Sequence, residues 1–276
     1  MQQAVFELTD KGLQKAWKLF ADTQETLIWS ALQGVMGQAV GDDPDEPSAV
    51  RTITGDFAFF AGDPNTSGAE ALIRTVTVPL LGCGDRQTES WKERILSIWP
   101  DAQTFDRYTI QKETHFDRNK LEEYARSLPD GFTIVPIDER WYECCLKEKW
   151  MCDFVSNFSS ASDFVQHGLG FLAIDPMGQP AAGATSYTIY QSGIEIEVDT
   201  NENYRRKGLA LAVCAKLILT CLDKGLYPSW DAANLASVAL AQKLGYQPGH
   251  HYEVFYLPQM DAQQTATGQV EFTEKR

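Results

Sequence analysis

The sequence predicts a mixed α/β (α+β) protein: a smaller α/β N-terminal domain, then a domain whose mixed central sheet is flanked by helices. Three observations predict it. Runs of strand period and helix period interleave along all 276 residues. The second half orders them β-α-β-β-β-α-β-α-β, which is not a simple βαβ repeat. Between the halves, LPDGF at 128–132 breaks the pattern with Pro and Gly, which places a boundary near residue 130.

Each element has its own justification. Leu13, Ala16, Trp17 and Phe20 recur at helical spacing and ETLIWSALQGVM continues it, so residues 10–40 read as two helices. GDDPDEP, 41–47, holds two prolines and four acids and reads as a solvated loop; it shows no cation-loop pattern. AVRTITGDFAFFAG gives two short strands around Gly55 and Asp56. AEALIRTV and ESWKERILSIW are helical, with LLGCGD between them. FDRYTIQKE is a strand, and DRNKLEEYARSL is a helix with Asp117 as N-cap.

Past the boundary, FTIVPID is a strand that Pro136 pushes toward an edge. ERWYECCLKEKWMCDFV is a helix. GFLAIDPMGQPAAGATSYTIYQSGIEIEVDT gives three strands with turns at DPMGQP and QSG. RRKGLALAVCAKLILTCLDKG is a long apolar helix ending at Gly225. YPSWDAA is a strand, LASVALAQKLG a helix closed by Gly245, and HYEVFYL a last strand. The expected division is 1–130, 131–258 and a polar tail, 259–276. No internal repeat is visible.

Composition narrows the function. The apolar share of 43% suits a folded protein with a real core. A formal net charge of −14 argues against nucleic acid or an anionic membrane as partner, since both need a basic footprint. It suits a cationic substrate such as an amine. The six cysteines contain no CxxC pair, and Cys214 and Cys221 fall among apolar residues at helical spacing, so buried free thiols in a reduced cytoplasm are expected. There is no apolar signal core, and no apolar run reaches the ~18 residues that span a bilayer. Nothing in the sequence sets the oligomeric state.

VDTNENYRRKGLA, Val198 to Ala210, carries the chemistry. A strand hands over to a helix through two arginines, a lysine and a glycine. A helix start offers unpaired amides and the positive end of its dipole, so an anion is welcome there. Gly208 lets the backbone come close, and small Ala210 lets the helix approach. Arg205, Arg206 and Lys207 add charge. The lysine-containing P-loop pattern is absent.

Arg205 to Ala210 fits the Arg/Gln-x-x-Gly-x-Gly/Ala signature of the GNAT superfamily of acyl-CoA-dependent N-acyltransferases. Asn234 to Tyr246, NLASVALAQKLGY, resembles the family's second signature, Asn-x-x-Ser followed by Lys-x-Gly-aromatic. Within the superfamily, GDFAFFAG, YRRKGLA and the run Trp230 to Tyr246 resemble the branch of the zwittermicin A resistance protein. The resemblance covers most of the chain and is strong from about 170 to 246. It implies a GNAT fold for the second half, with acetyl-CoA or another acyl-CoA as cofactor. It implies that Val198, Asp199 and Thr200 lend backbone groups to the pantetheine arm. The amides of Arg206, Lys207, Gly208, Leu209 and Ala210 would hold the pyrophosphate, and Asn234 and Ser237 would contact the arm or phosphate. A helix N-cap is the other reading of Asn234.

Acyl transfer to an amine needs a neutral amine, donors to the thioester oxygen and a proton for the thiolate. Many GNAT enzymes carry a Tyr just before x-K-x-G as that acid; here Ala241 stands in its place. Tyr246 is the candidate in its stead, with Tyr204 and Tyr187 as further donors. In IEIEVDT, Glu195, Glu197 and Asp199 alternate with Ile194, Ile196 and Val198, so the acids share one face and Glu195 or Glu197 is the candidate base. A solvated sheet face is the competing reading, and His167 is another possible base. HGLGF and GCGD lack the dinucleotide fingerprint. His115, His167, His250 and His251 show no zinc spacing, and no metal is expected. The expected activity is direct transfer of an acyl group to a small cationic amine held between the two halves. The alternative is a non-catalytic acyl-CoA-binding or regulatory protein on the same fold, which Ala241 favours.

Overall fold

The computed structural model describes residues 5–21, 23–83 and 88–260. Residues 261–276 of the expected tail lie outside them, as does part of GCGD. The chain forms two units, Met1–Asp106 with Glu253–Arg276, and Arg107–Tyr252.

The first unit runs β1 (Phe6–Glu7), α1 (Asp10–Leu19), α2 (Thr26–Leu32), β2 (Gln38–Gly41), β3 (Ala49–Thr54), β4 (Phe57–Gly62), α3 (Ser67–Arg74), β5 (Leu80–Cys83) and α4 (Thr88–Ile98), and β6 (Gln103–Ile110) begins in it. Residues 38–41 and 80–83, expected in a helical stretch and a connector, are strands. Their partners explain why: Gln38 lies opposite Ile53 and Leu80 opposite Phe57. Long-range ladders override local pattern. Phe60, Leu72, Ile73, Leu81, Trp91, Ile95 and Phe255 form the unit's core.

The acidic loop is held by its own chain. Asp42 accepts from the amides of Ser48 and Ala49, and Asp43 from those of Asp45 and Glu46. Asp45 accepts the Thr9 hydroxyl at 2.6 Å, and Glu46 pairs with Lys11 at 2.7 Å. Amides from Glu46 and Asp45 hold the Asp43 carboxyl below its usual range.

In the second unit, α5 (Arg118–Ala125) is capped by Asp117 as expected. There follow β7 (Thr133–Pro136), α6 (Glu139–Lys147), a 3-10 turn (Cys152–Phe154), α7 (Ala161–His167), β8 (Gly170–Ile174), β9 (Pro180–Tyr190), β10 (Gly193–Thr200), a 3-10 turn (Glu202–Tyr204), α8 (Leu209–Asp223), β11 (Tyr227–Ser229), β12 (Asp231–Ala232), α9 (Leu235–Leu244) and β13 (Pro248–Tyr256), whose end passes into the first unit. The sheet order is β11-β10-β9-β8-β7, which puts β7 and its Pro136 at an edge. Residue 130 lies inside this unit, because Ile110 and Leu121 share a buried cluster with α8 residues Val213, Cys214 and Ile218.

Three boundaries differ from expectation. The helix after residue 138 stops at Lys147, and α7, which ends at His167, is an additional helix capped by Ser160. The arginines precede α8 instead of opening it. YPSWDAA divides, since β11 pairs with β10 while β12 pairs with Tyr108 and Thr109 of β6.

The element order of the first half recurs. From β1 to β6 the chain runs β-α-α-β-β-β-α-β-α-β, and from β7 to β13 it does so again, with β11 and β12 as one strand in two parts. The pairing repeats too. Strands β1 to β4 pair antiparallel in succession and β4 pairs parallel with β5; β7 to β10 do the same, and β10 pairs parallel with β11.

Candidate active site

Strand β10 pairs with β9 along its length but with β11 only from Gly193 to Glu195, opposite Tyr227 to Ser229. Beyond Glu195, β10 continues to Thr200 while the neighbouring chain turns to β6. The parallel pair therefore parts at the end that leads to α8.

The loop between them is braced. The Tyr204 hydroxyl donates to Asp175 Oδ2 at 2.6 Å, and Asp175 Oδ1 accepts from the amides of Met177 and Gln179 at 2.8 Å each. The Tyr204 bond is the first cause, and backbone amides the next, that hold the Asp175 carboxyl below its usual range; the same bond raises the Tyr204 phenol. Arg206 is left-handed at φ 64. Arg205, Arg206 and Lys207 are exposed, and among the described residues none of them forms an ion pair with a carboxylate. The Lys207 ammonium lies 4.9 Å from the centre of the Tyr204 ring.

Gly208 starts α8 at φ 81, ψ 2, without a side-chain cap. A Cβ placed there would meet nothing within 4 Å, so the space around it is open. Among the described residues, no backbone hydrogen bond uses the amides of Arg206 to Ala210 as donors, as a helix start without a cap requires. Thr200 differs: its amide donates to its neighbour's Asp199 Oδ1 at 2.7 Å.

Asn234 and Ser237 have places in the fold. Asn234 Oδ1 caps α9 by accepting from the Ser237 amide at 2.9 Å, and Ser237 Oγ accepts from the Trp230 indole at 3.0 Å. Ala241 is fully buried, so a tyrosine at that position has no room. Tyr246 is 1% exposed, its hydroxyl donates to the Pro228 carbonyl at 2.5 Å, and burial raises its phenol well above the ordinary range. Tyr187 is buried at a bulge, where β9 has one residue more than β10 between Ser186 and Thr188.

The three acids of β10 do share a face, which is closed over at Glu195 and half-buried at Glu197 and Asp199. Glu195 lies opposite Thr188, Glu197 opposite Thr185 and Asp199 opposite Gly183. Paired residues point the same way, and a Cβ on Gly183 would strike Phe154 of the first 3-10 turn. That turn packs on β9 and β10. Glu195 is 5% exposed, between the fully buried Thr188 and Ser229, and Lys112 donates to the Ser229 hydroxyl. The hydroxyls of Thr185 and Thr188 find no partner among the described residues. His167, at the exposed end of α7, is bound to Asp163 at 2.8 Å. Periodicity located the acid face; the buried threonines and Ser229 on it left no signal in sequence, because their neighbours come from other strands.

Among the described residues, no cluster of three or more His, Cys, Asp or Glu could hold a metal ion, and no helix is long and apolar enough to cross a membrane.

These features define a class: a mixed α/β protein whose parallel strand pair opens beside an uncapped helix start flanked by cations. The chain belongs to the GNAT acetyltransferase family of enzymes, whose sequence profile matches residues 17–255. It is similar to YdfB of Bacillus subtilis (strain 168), named an uncharacterized N-acetyltransferase, with 27% identity over 274 residues, 91% of this chain and 97% of that one. It is also similar to a GCN5-related N-acetyltransferase-like protein from Streptococcus suis 89/1591, with 39% identity and a TM-score of 0.82 over 88% of this chain and 97% of that one. A GCN5-related N-acetyltransferase from Sphaerobacter thermophilus shares the fold, with a TM-score of 0.57 and 14% identity over 91% and 94% of the two chains.

Proposed function

We propose that the protein transfers an acyl group, acetyl first among them, from acyl-CoA to the amine of a small cationic molecule, which attacks the thioester directly. The observation that carries this reading is the junction from Thr200 to Ala210. Its helix start has idle amides, open space at Gly208 and cations with no carboxylate partner, which fits a pyrophosphate. The segments GDFAFFAG and YRRKGLA support a place beside the zwittermicin A resistance protein branch.

Bound acyl-CoA supplies a carbonyl open to nucleophiles and a thiolate that leaves. The chain's residues do the rest. The amides of Arg206 to Ala210 hold the pyrophosphate, and Arg205 and Arg206 add charge. Backbone groups of Val198 to Thr200 lie along the edge that β11 leaves at Ser229, where an extended arm can hydrogen-bond as a strand does. Asn234 keeps its amide donors, because its cap uses only the oxygen. An ammonium must lose a proton before it attacks, and Glu195 or Glu197 accepts it, directly or through a water. Tyr246 has no part in this scheme; its hydroxyl is already committed to Pro228 in the core. The net charge of −14 draws a cation toward the protein.

The test is acetyl-CoA with a panel of amines, read by CoA release and product mass, beside calorimetry of acetyl-CoA binding. Transfer to at least one amine is expected. A folded Gly208→Asp protein with undiminished affinity overturns the site assignment.

A further inference from the structure

The first unit has a junction equivalent to that between β10 and α8. There β4 ends at Gly62, residues 63–66 follow, and α3 starts at Ser67. Three features separate it from its counterpart.

The helix start is capped. Thr66 precedes α3 with φ −66 and ψ 152, and its hydroxyl accepts from the Ala69 amide at 3.0 Å. Gly208 has no side chain with which to do this, so the amides of α8 are left idle. The charge is reversed as well. No Arg or Lys lies between Gly62 and Arg74, and Asp63 stands where the second unit has cations. Asp63 Oδ1 accepts from the Asn65 amide at 2.9 Å, so the loop folds around its own anion.

The space between the parallel strands is also filled. β4 stays paired with β5 as far as Phe60, opposite Cys83, close to its end. Past that point the fully buried Trp91 of α4 donates its indole N–H to the Gly62 carbonyl at 3.0 Å, and its ring stacks on Phe60 with centroids 5.2 Å apart. An indole thus bonds the end of β4, at the place in the repeat where the end of β10 is left to a ligand.

We infer that the N-terminal unit is a second copy of the acyltransferase fold whose cofactor wedge is shut by Trp91, Thr66 and Asp63, so that each chain holds a single acyl-CoA, at the α8 junction. The inference rests on the acyl-CoA reading of that junction. The copy lost the anion site through ordinary local chemistry: a threonine cap satisfies the helix, an acid repels phosphate, and an aromatic ring fills the gap.

The experiment is calorimetry of CoA with the full-length chain, wild type and Gly208→Asp, together with amide hydrogen exchange with and without CoA. The wild type should bind one CoA per chain, with protection confined to the segments around 198–210 and 234–237 and none at 60–70. Gly208→Asp should lose affinity by about tenfold or more and show no second site. Should that variant fail to fold, Arg205→Ala with Arg206→Ala serves the same purpose. Two equivalents of CoA, binding that survives in these variants, or protection at 60–70 would overturn the single-site inference and leave the proposed activity standing. No binding by the wild type would overturn both.

Discussion

Tyr246 and Tyr204 show how one residue type takes different work from its surroundings. Tyr246 packs edge-on against Phe116 and Trp230, with its hydroxyl on the Pro228 carbonyl. Tyr246→Phe should keep the packing and lose one buried hydrogen bond, about 1 kcal/mol of stability. Denaturant titration should find that loss and steady-state kinetics an unchanged turnover; a turnover drop with stability intact would make Tyr246 an acid after all. Tyr204 instead braces the loop through Asp175. Its hydroxyl lowers the Asp175 carboxyl and has its own phenol raised. A depressed carboxyl stabilises the fold above its unfolded range, and that contribution is lost as pH falls through the folded value. The raised phenol keeps its proton, so its contribution is lost only as pH rises through the raised value. The brace therefore holds over the whole span between the two. Tyr204→Phe should raise the Asp175 titration, measured by carbon NMR, toward the ordinary carboxylate range.

At the scale of elements, β10 and α9 each combine structure with a candidate role. The acid face of β10 is buried at Glu195 and half-buried at Glu197, so a change at Glu195 is felt inside the sheet. Glu195→Gln or Glu197→Gln should lower turnover more than it weakens CoA binding, since an amide cannot take up a proton. If both variants keep the wild-type pH–rate profile, the acids are structural. For α9, two substitutions separate cap from ligand contact. Asn234→Ala removes the cap and should cost about 1 kcal/mol. Asn234→Asp keeps the accepting oxygen and removes the amide donors. Reduced CoA affinity in Asn234→Asp, at wild-type stability, is expected if the residue also meets the cofactor; equal affinity limits it to capping.

At the scale of the whole molecule, the unit boundaries decide which fragments fold. A fragment from residue 131 leaves out α5, whose Leu121 is 1% exposed in the core with α8. Without α5, that face of α8 meets water, and such exposed apolar surface aggregates. The fragment 131–258 should therefore be poorly soluble or lack a cooperative melt, as circular dichroism would show, whereas the full chain melts cooperatively. A soluble, cooperatively folded 131–258 would show that α5 is dispensable. The acidic loop belongs to this scale as well. Its carboxylates are already bound to their own backbone and to Lys11 and Lys15, so it is a fixed turn of the first unit.

The sequence by itself determined what depends on neighbours a few residues apart. Helices with their caps at Asp117 and Gly245, the turns at DPMGQP and QSG, the face of Glu195, Glu197 and Asp199, and the passage from strand to helix through Gly208 all follow from local periodicity and backbone chemistry. The family resemblance was legible for the same reason, since its signatures are short and contiguous. Only the tertiary structure decided what depends on partners distant in sequence. It made strands of 38–41 and 80–83, split YPSWDAA between two partners, buried Tyr246, and set a 3-10 turn from far upstream against the sheet beside the acid face. It alone revealed the repeated fold, because strand order and pairing recur while the residues at equivalent places, Trp91, Thr66 and Asp63 against Gly208 and its cations, differ. A ladder constrains backbone geometry more tightly than side-chain identity, so an element order and its pairing can recur where the residues do not.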